Sequence, residues 1–314
     1  MSNIILIQEK SRHAANQEFR ECCCLKRAFE HLHQKVDIWG LGWENFHVLP
    51  DFNSYDLIIN MENYGDSWIP DLSEYTGPKK MLWVIDSHVR GLKPYLKIFN
   101  KGKYDVLLQS TKDYVNRDPN KKSVWFPNAV DDSLFSPNPW TDRENFIGYC
   151  GSRPKIRIPY LKKLRTWFGT NYQENIWVLG KDMVSAIQSY KIHFNLNIAN
   201  DINFRSFETI GLGTVLCTNS NSQYNDLGFE NNKNCILYDH KTDLFNRFHG
   251  NFKNLHMILS QYYNNQDQLE TISRNAIQLS HKHTFKQRAK TLISLLNGNE
   301  LLGWDGNLLQ NPET

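Results

Sequence analysis

The residues best suited to chemistry lie between Asn200 and Asn219. A polar loop ending at Asn203 leads into a short predicted helix that carries Arg205 and Glu208. Residues three apart share a helix face. The first turn of a helix favours anions, because its amides and dipole point outward there. A guanidinium at that end adds charge-assisted hydrogen bonds to phosphate. A carboxylate beside it can accept two ribose hydroxyls, so Asn203, Arg205 and Glu208 suit a nucleoside diphosphate. A plain i,i+3 surface ion pair would have the same spacing. The small-residue turn Gly211–Thr214 and the apolar strand Val215–Cys217 directly behind it favour the ligand reading.

A second set lies in the run from Gly148 to Arg157. Gly151, Ser152, Arg153 and Arg157 fall where a predicted strand turns into a helix, the phosphate-binding position of a doubly wound fold. Glycine lets the backbone approach a ligand, and arginine supplies planar, multiply donating cations. The run is neither a Walker motif nor a full dinucleotide fingerprint, and a tight turn with solvated arginines is the alternative. A third set, Asp86 and His88, follows an apolar strand. Asp86 is placed to take a proton from an attacking hydroxyl, with His88 as its rival. Capping of the next turn would equally explain an Asp there. Glu62 and Asp66 follow another strand and, with Arg90 and Lys93, are the candidates for binding an acceptor. Arg90 and Lys93 belong to a basic run, Lys79, Lys80, His88, Arg90, Lys93, Lys97, Lys101 and Lys103, with Lys121 and Lys122 beyond it. Such a run suits a polyanion such as DNA, or is simply a solvated face.

The elements that must position these residues alternate between short strands and helices, an α/β pattern with mainly parallel sheets. Strands are predicted at 4–7, 36–39, 57–60, 81–85, 106–109 and 124–126. After a proline-rich connector at 127–140 they resume at 146–150, 176–179, 194–196, 215–217 and 235–237. Helices are predicted at 16–32, 159–168, 183–189, 204–212, 242–248, 254–262, 269–281 and 284–296. This gives a first Rossmann-like domain over 1–135 on the acceptor side and a nucleotide-binding one over 136–296. A tail over 297–314 would return to the first. Ligands of such sheets sit at the carboxyl ends of the strands, and two such halves would face a central cleft.

The chain has 314 residues, 40% of them hydrophobic and 22% charged, enough for two packed cores. With 36 basic and 33 acidic residues the net charge is +3, so overall charge does not indicate a nucleic-acid binder. No apolar run approaches the roughly 20 residues of a membrane span, and a cytoplasmic location is expected. Three of the six cysteines, Cys22, Cys23 and Cys24, are consecutive on a predicted helix. They point in different directions, which makes a poor metal site. Reduced thiols are expected.

The linker Phe126-Pro127-Asn128-Ala129-Val130-Asp131-Asp132-Ser133-Leu134-Phe135 resembles the segment joining the two halves of many GT-B glycosyltransferases, with Ala129 at a usual glycine. The stretch from Arg205 to Leu237 resembles the spore-maturation-protein type of these enzymes. Gly151-Ser152 with Arg153 and Arg157, then Arg205-Ser206-Phe207-Glu208, then Val84-Ile85-Asp86 are similar to segments of phage DNA β-glucosyltransferases. The resemblance implies an α/β GT-B fold and transfer of a sugar from a nucleotide-sugar, UDP-linked by preference, without a required cofactor or metal. It implies that arginines meet phosphate, Glu208 meets ribose and Asp86 is the general base. A hydroxymethylated pyrimidine in double-stranded DNA is the implied acceptor, with a cell-surface glycan as the alternative. Many retaining members carry Glu-x7-Glu; here Asn200 stands eight before Glu208, which favours inversion. A nucleotide-sugar epimerase or a silent nucleotide-binding module are the readings from other classes.

Overall fold

The computed structural model describes residues 1–240 and 252–299. The chain forms two compact units, one of Met1–Ala129 with the chain from Thr284, the other of Val130–His283. The sequence reading placed these divisions at 135/136 and 296/297.

Unit 1 holds β1 (Asn3–Ile7), α1 (Glu21–His31), β2 (Lys35–Trp39), β3 (Leu57–Met61), β4 (Lys79–Val84), α2 (Ser87–Arg90), α3 (Lys93–Lys101), β5 (Val106–Gln109) and β6 (Ser123–Trp125). Its sheet runs β2-β1-β3-β4-β5-β6, every pair parallel. Strands covered on both faces must be apolar throughout, and Ile4 to Ile7 and Leu57 to Ile59 are all buried. Helix α1 starts at Glu21, later than the predicted Asn16, because its buried residues Cys22, Cys24, Leu25, Ala28 and Phe29 make one face only from there.

Unit 2 holds β7 (Asn145–Gly151), α4 (Ile158–Phe168), β8 (Tyr172–Ile176), α5 (Gly180–Gln188), β9 (Tyr190–Asn195), α6 (Phe204–Gly211), β10 (Val215–Asn219), α7 (Ser222–Asp226), β11 (Ile236–Tyr238), α8 (Phe252–Tyr263) and α9 (Gln266–Ser280). The order β11-β10-β9-β7-β8 is again all parallel. Gly148 sits inside β7 because a Cβ there would come within 2.3 Å of the Tyr190 ring. Strand β8 departs from expectation. The apolar run 176–179 reads as a strand, yet the strand is Tyr172–Ile176 and ends where that run begins. It is an edge strand, so polar Gln173 and Asn175 are tolerated on it.

The last described helix, α10 (Phe285–Leu296), joins unit 1 rather than unit 2. It packs on α1. Its fully buried Arg288 donates from Nε to the Pro127 carbonyl at 2.7 Å and from Nη2 to that of Asn128 at 2.5 Å. Phe285 lies edge-on to Trp83 at 6.3 Å. The predicted helix 242–248 and the tail beyond 299 lie outside the described residues. Among the described residues no helix is long and apolar enough to cross a membrane.

Candidate active site

A parallel sheet opens a crevice where successive connections leave in opposite directions. In unit 1 that point is β1, flanked by β2 and β3; in unit 2 it is β7, flanked by β8 and β9. The carboxyl ends of these strands lead into the residues that the sequence singles out. β7 runs into Gly151–Arg157, β9 into the loop before α6, β3 into Glu62, and the neighbouring β4 into Asp86.

In unit 2 the Arg205–Glu208 pair is formed, with Nη1 to Oε2 at 2.6 Å and both side chains part-buried. The turn beneath it is held by a residue not foreseen from the sequence. His193 is fully buried on β9; its Nε2 accepts the Cys150 amide at 3.2 Å. Its Nδ1 therefore carries the proton and donates to Thr209 Oγ1 at 2.6 Å, which donates in turn to the Arg205 carbonyl at 2.5 Å. Burial, with Arg205 adding to it, drives the His193 pKa well below its ordinary value. A neutral imidazole thus links the end of β7 to the first turns of α6. Asn195 Nδ2 donates to Asn203 Oδ1 at 3.0 Å and to Ser206 Oγ at 3.2 Å, and the Asn197 amide donates to Asn219 Oδ1 at 2.8 Å. These amides fix the loop that opens α6. A row of Asn and His at strand ends was the signal for this network.

The two arginines of the Gly151 turn differ. Arg157 is buried; its Nε and Nη2 both donate to the Leu196 carbonyl, at 3.1 and 2.8 Å, and its Nη1 donates to Tyr149 Oη at 3.0 Å. It ties the β7 turn to the end of β9, a positioning task rather than the direct phosphate contact expected of it. The Tyr149 hydroxyl closes on the Ser152 carbonyl. Arg153 is exposed and lies 3.5 Å from Glu174, which also pairs with Arg165 at 2.5 Å. Gly151 and Ser152 stand half-buried at the strand end.

In unit 1 the sequence-predicted residues gather around one carboxylate. Glu62 Oε2 accepts the amides of Ile85 and Asp86, both at 2.7 Å, and Oε1 accepts the Tyr95 hydroxyl at 2.7 Å. Arg90 Nε lies 3.6 Å away, and its Nη1 donates to the Asn63 carbonyl at 3.1 Å. With its side chain only 7% exposed, Glu62 holds the turn that carries Asp86 instead of facing an acceptor. Burial raises its pKa, partly opposed by these hydrogen bonds. Asp86 is half-buried at the start of α2 with no side-chain capping bond, and His88 follows it, half-buried. Asp66 and Lys93 are exposed.

The basic run does not form one face. Lys79 and Lys80 begin β4, and Lys101, Lys103, Lys121 and Lys122 precede β5 and β6, so these six belong to the opposite, amino edge of the sheet. Lys79 Nζ donates to the Leu295 carbonyl at 2.7 Å and buried Lys80 to that of Leu72 at 3.0 Å. His88, Arg90 and Lys93 remain near Asp86. The carboxyl edge gains other cations instead. Arg12 lies 4.3 Å and Arg20 5.4 Å from the centre of the Tyr64 ring, and Lys10 5.4 Å from that of Trp43. Lys10 and Arg12 escaped notice in the sequence because they are scattered in a loop whose neighbours Glu9 and Glu18 balance them.

Residues 143–294 match the family model described as glycosyl transferase-like. The chain carries a glycosyltransferase-like domain. Its fold is that of solved GT-B structures. Anabaena Alr3699/HepE, in complex with UDP and glucose, aligns with a TM-score of 0.61 at 13% identity over 94% of this chain and 100% of that one. A glycosyltransferase from Rickettsia africae ESF-5 aligns at 0.65 and 11% identity, covering 95% and 98%. An alpha-glucosyltransferase in complex with UDP and a 13-mer DNA containing an HMU base aligns at 0.68 and 8% identity, covering 94% and 99%. No curated protein sequence matches. Among the described residues, no group of three or more His, Cys, Asp or Glu side chains could hold a metal ion.

Proposed function

We propose that the enzyme moves a sugar from a UDP-sugar to a hydroxymethylated pyrimidine in DNA, with inversion at the anomeric carbon. The carrying observation is the Arg205–Glu208 pair at the start of α6, held at the switch point of unit 2 by His193 and Thr209. Glu208 accepts the ribose hydroxyls. Arg205 and the first turn of α6 face the diphosphate, and Arg153 joins them by leaving Glu174. Arg157 acts through the turn it positions. Asp86 accepts the proton of the acceptor hydroxyl as its oxygen attacks the anomeric carbon. The bond from that carbon to the diphosphate oxygen breaks, and UDP leaves with the electron pair, its charge met by the arginines and the helix end. His88 and Arg90 flank the acceptor. The Arg205-to-Leu237 pattern supports a spore-maturation-type member of the class.

DNA as acceptor is supported by the likeness to the DNA-bound alpha-glucosyltransferase and by the cations and rings on the carboxyl edge of unit 1. Such pairs offer phosphate contacts and stacking faces together. A polar glycan is the second reading, favoured by the six lysines of the run that lie on the wrong edge for Asp86. The test is a panel of UDP-sugars with duplex DNA containing hydroxymethylated or unmodified pyrimidines, read by nucleoside mass spectrometry and by NMR of the new anomeric centre. Sugar on modified DNA alone, in the configuration opposite to the donor's, is expected. No incorporation from any donor overturns the DNA acceptor, and an unchanged configuration overturns inversion.

A further inference from the structure

Trp177 is the one exposed tryptophan among the described residues, with 72% of its surface open. It follows the last residue of β8 and has φ +59°, the left-handed region that a bulky side chain rarely enters. Exposure and backbone strain together cost stability, and such strain persists where the surroundings enforce it. Here the enforcing contact is its own amide, which donates to the Gly151 carbonyl at 3.3 Å. The backbone of Trp177 is thereby fixed beside the end of β7, with the indole open to solvent.

Its neighbours give it a direction. Ile156, on the loop after β7, and Ile198, on the loop after β9, are also exposed. Each of the three adjacent strands β8, β7 and β9 is thus followed by an exposed apolar residue at the carboxyl edge of the sheet. The Gly151 carbonyl that holds Trp177 is one residue from Cys150, which leads through His193 and Thr209 to Arg205. The guanidinium of Arg205 lies against Met183 of α5, the helix that the Trp177 loop enters. Strands β9 and β8 stand two positions apart, about 10 Å, the scale of a nucleotide from its phosphates to its base.

We propose that Trp177 is the stacking platform for the nucleobase of the donor. This rests on the reading of the carboxyl edge of unit 2 as a nucleotide site. A diphosphate at α6 and a ribose at Glu208 leave the base to extend towards β8, where a flat apolar face of the right kind is waiting. Stacking tolerates any base, so Trp177 supplies affinity, and the backbone around it supplies the choice of base.

The test compares wild type, Trp177→Ala, Trp177→Phe and Trp177→Gly by calorimetric titration with UDP, GDP, ADP and pyrophosphate. Base–aromatic stacking predicts a loss of about 5- to 150-fold for the preferred nucleotide in Trp177→Ala. Trp177→Phe restores most of it, and pyrophosphate binds all four proteins alike. Glycine relieves the left-handed strain, so Trp177→Gly keeps or raises the melting temperature while still losing nucleotide affinity; a merely structural tryptophan would lower both. Equal nucleotide affinity in wild type and Trp177→Ala overturns the platform and leaves the nucleotide site standing. Failure of wild type to bind any of the three nucleotides overturns both.

Discussion

Replacing Glu62 distinguishes a group that holds the Asp86 turn from one that touches substrate. Alanine removes the acceptor of three donors at once, the amides of Ile85 and Asp86 and the hydroxyl of Tyr95. Each buried donor left unpaired costs about 1–3 kcal/mol. At the low end of that range, with water reaching the amides, Glu62→Ala loses about 3 kcal/mol, or roughly 6–12 °C in the melting of a unit this size. Glutamine keeps one oxygen for the two amides and lets Tyr95 rotate to accept, so Glu62→Gln loses about 1 kcal/mol or less. The pH dependence has a definite sign. Burial raises the Glu62 pKa, so its contribution is complete below the ordinary carboxylate range and declines as pH rises through the raised value. The cost of Glu62→Gln therefore shrinks from pH 4 towards pH 7. Denaturant unfolding across that interval measures it, and steady-state kinetics with saturating donor reports the function. Glu62→Ala should lower kcat about 10- to 100-fold as the Asp86 turn loosens, leave donor affinity intact, and be largely rescued by glutamine. Wild-type melting in Glu62→Ala, or a loss of donor affinity with unchanged kcat, would refute the holding role.

Asp86→Asn should cut turnover by about 10²- to 10⁴-fold while UDP binds normally; unchanged turnover removes Asp86 as the base. Glu208→Ala should weaken UDP about 10- to 100-fold and abolish discrimination against 2′-deoxy-UDP, so persistent discrimination would show that the ribose is read elsewhere. The depressed His193 pKa means that its contribution is complete above the unfolded value of about 6.5 and is lost as pH falls towards the folded one. His193→Gln should flatten the stability profile below pH 6.5, and a profile parallel to wild type would contradict a buried neutral imidazole. Gly148→Ala drives a methyl into the Tyr190 ring and should cost about 1–3 kcal/mol or more, relieved by Tyr190→Ala in the double variant; additive losses would count against that clash.

Periodicity and turn chemistry revealed much of this fold in advance. Strands rich in Ile, Leu and Val, such as Ile4–Ile7 and Val106–Gln109, could be placed because both faces are buried. Strand β8 could not, because an edge strand needs few apolar residues and the apolar run beside it belongs to a loop. Helices α2 and α3 were missed because they are short and α3 carries Pro94 in its first turn. The Arg205–Glu208 pair was legible because both members lie on one helix and close on each other. The burial of Arg157 was not, since a guanidinium clamped on a distant carbonyl reads the same in sequence as a solvated one. The holding role of Glu62 was equally hidden, because its partners at Ile85, Asp86 and Tyr95 are joined only by the sheet. Charge runs misled most: Lys79 and Lys80 begin β4 whereas His88, Arg90 and Lys93 follow its other end, so one run in sequence is divided between the two ends of a strand.

The return of α10 to unit 1 has a consequence for how the chain is made. Unit 2 is a continuous segment inserted into unit 1, so it can complete its sheet while still attached to the ribosome. Unit 1 emerges first yet stays unfinished. Trp83 lacks Phe285, and the carbonyls of Pro127 and Asn128 lack Arg288, until about 160 further residues have been synthesised, at ~5–20 residues per second. The nascent first half must therefore wait many seconds with part of its core uncovered. The helix that covers this part of its core arrives only after the whole of unit 2 has been synthesised.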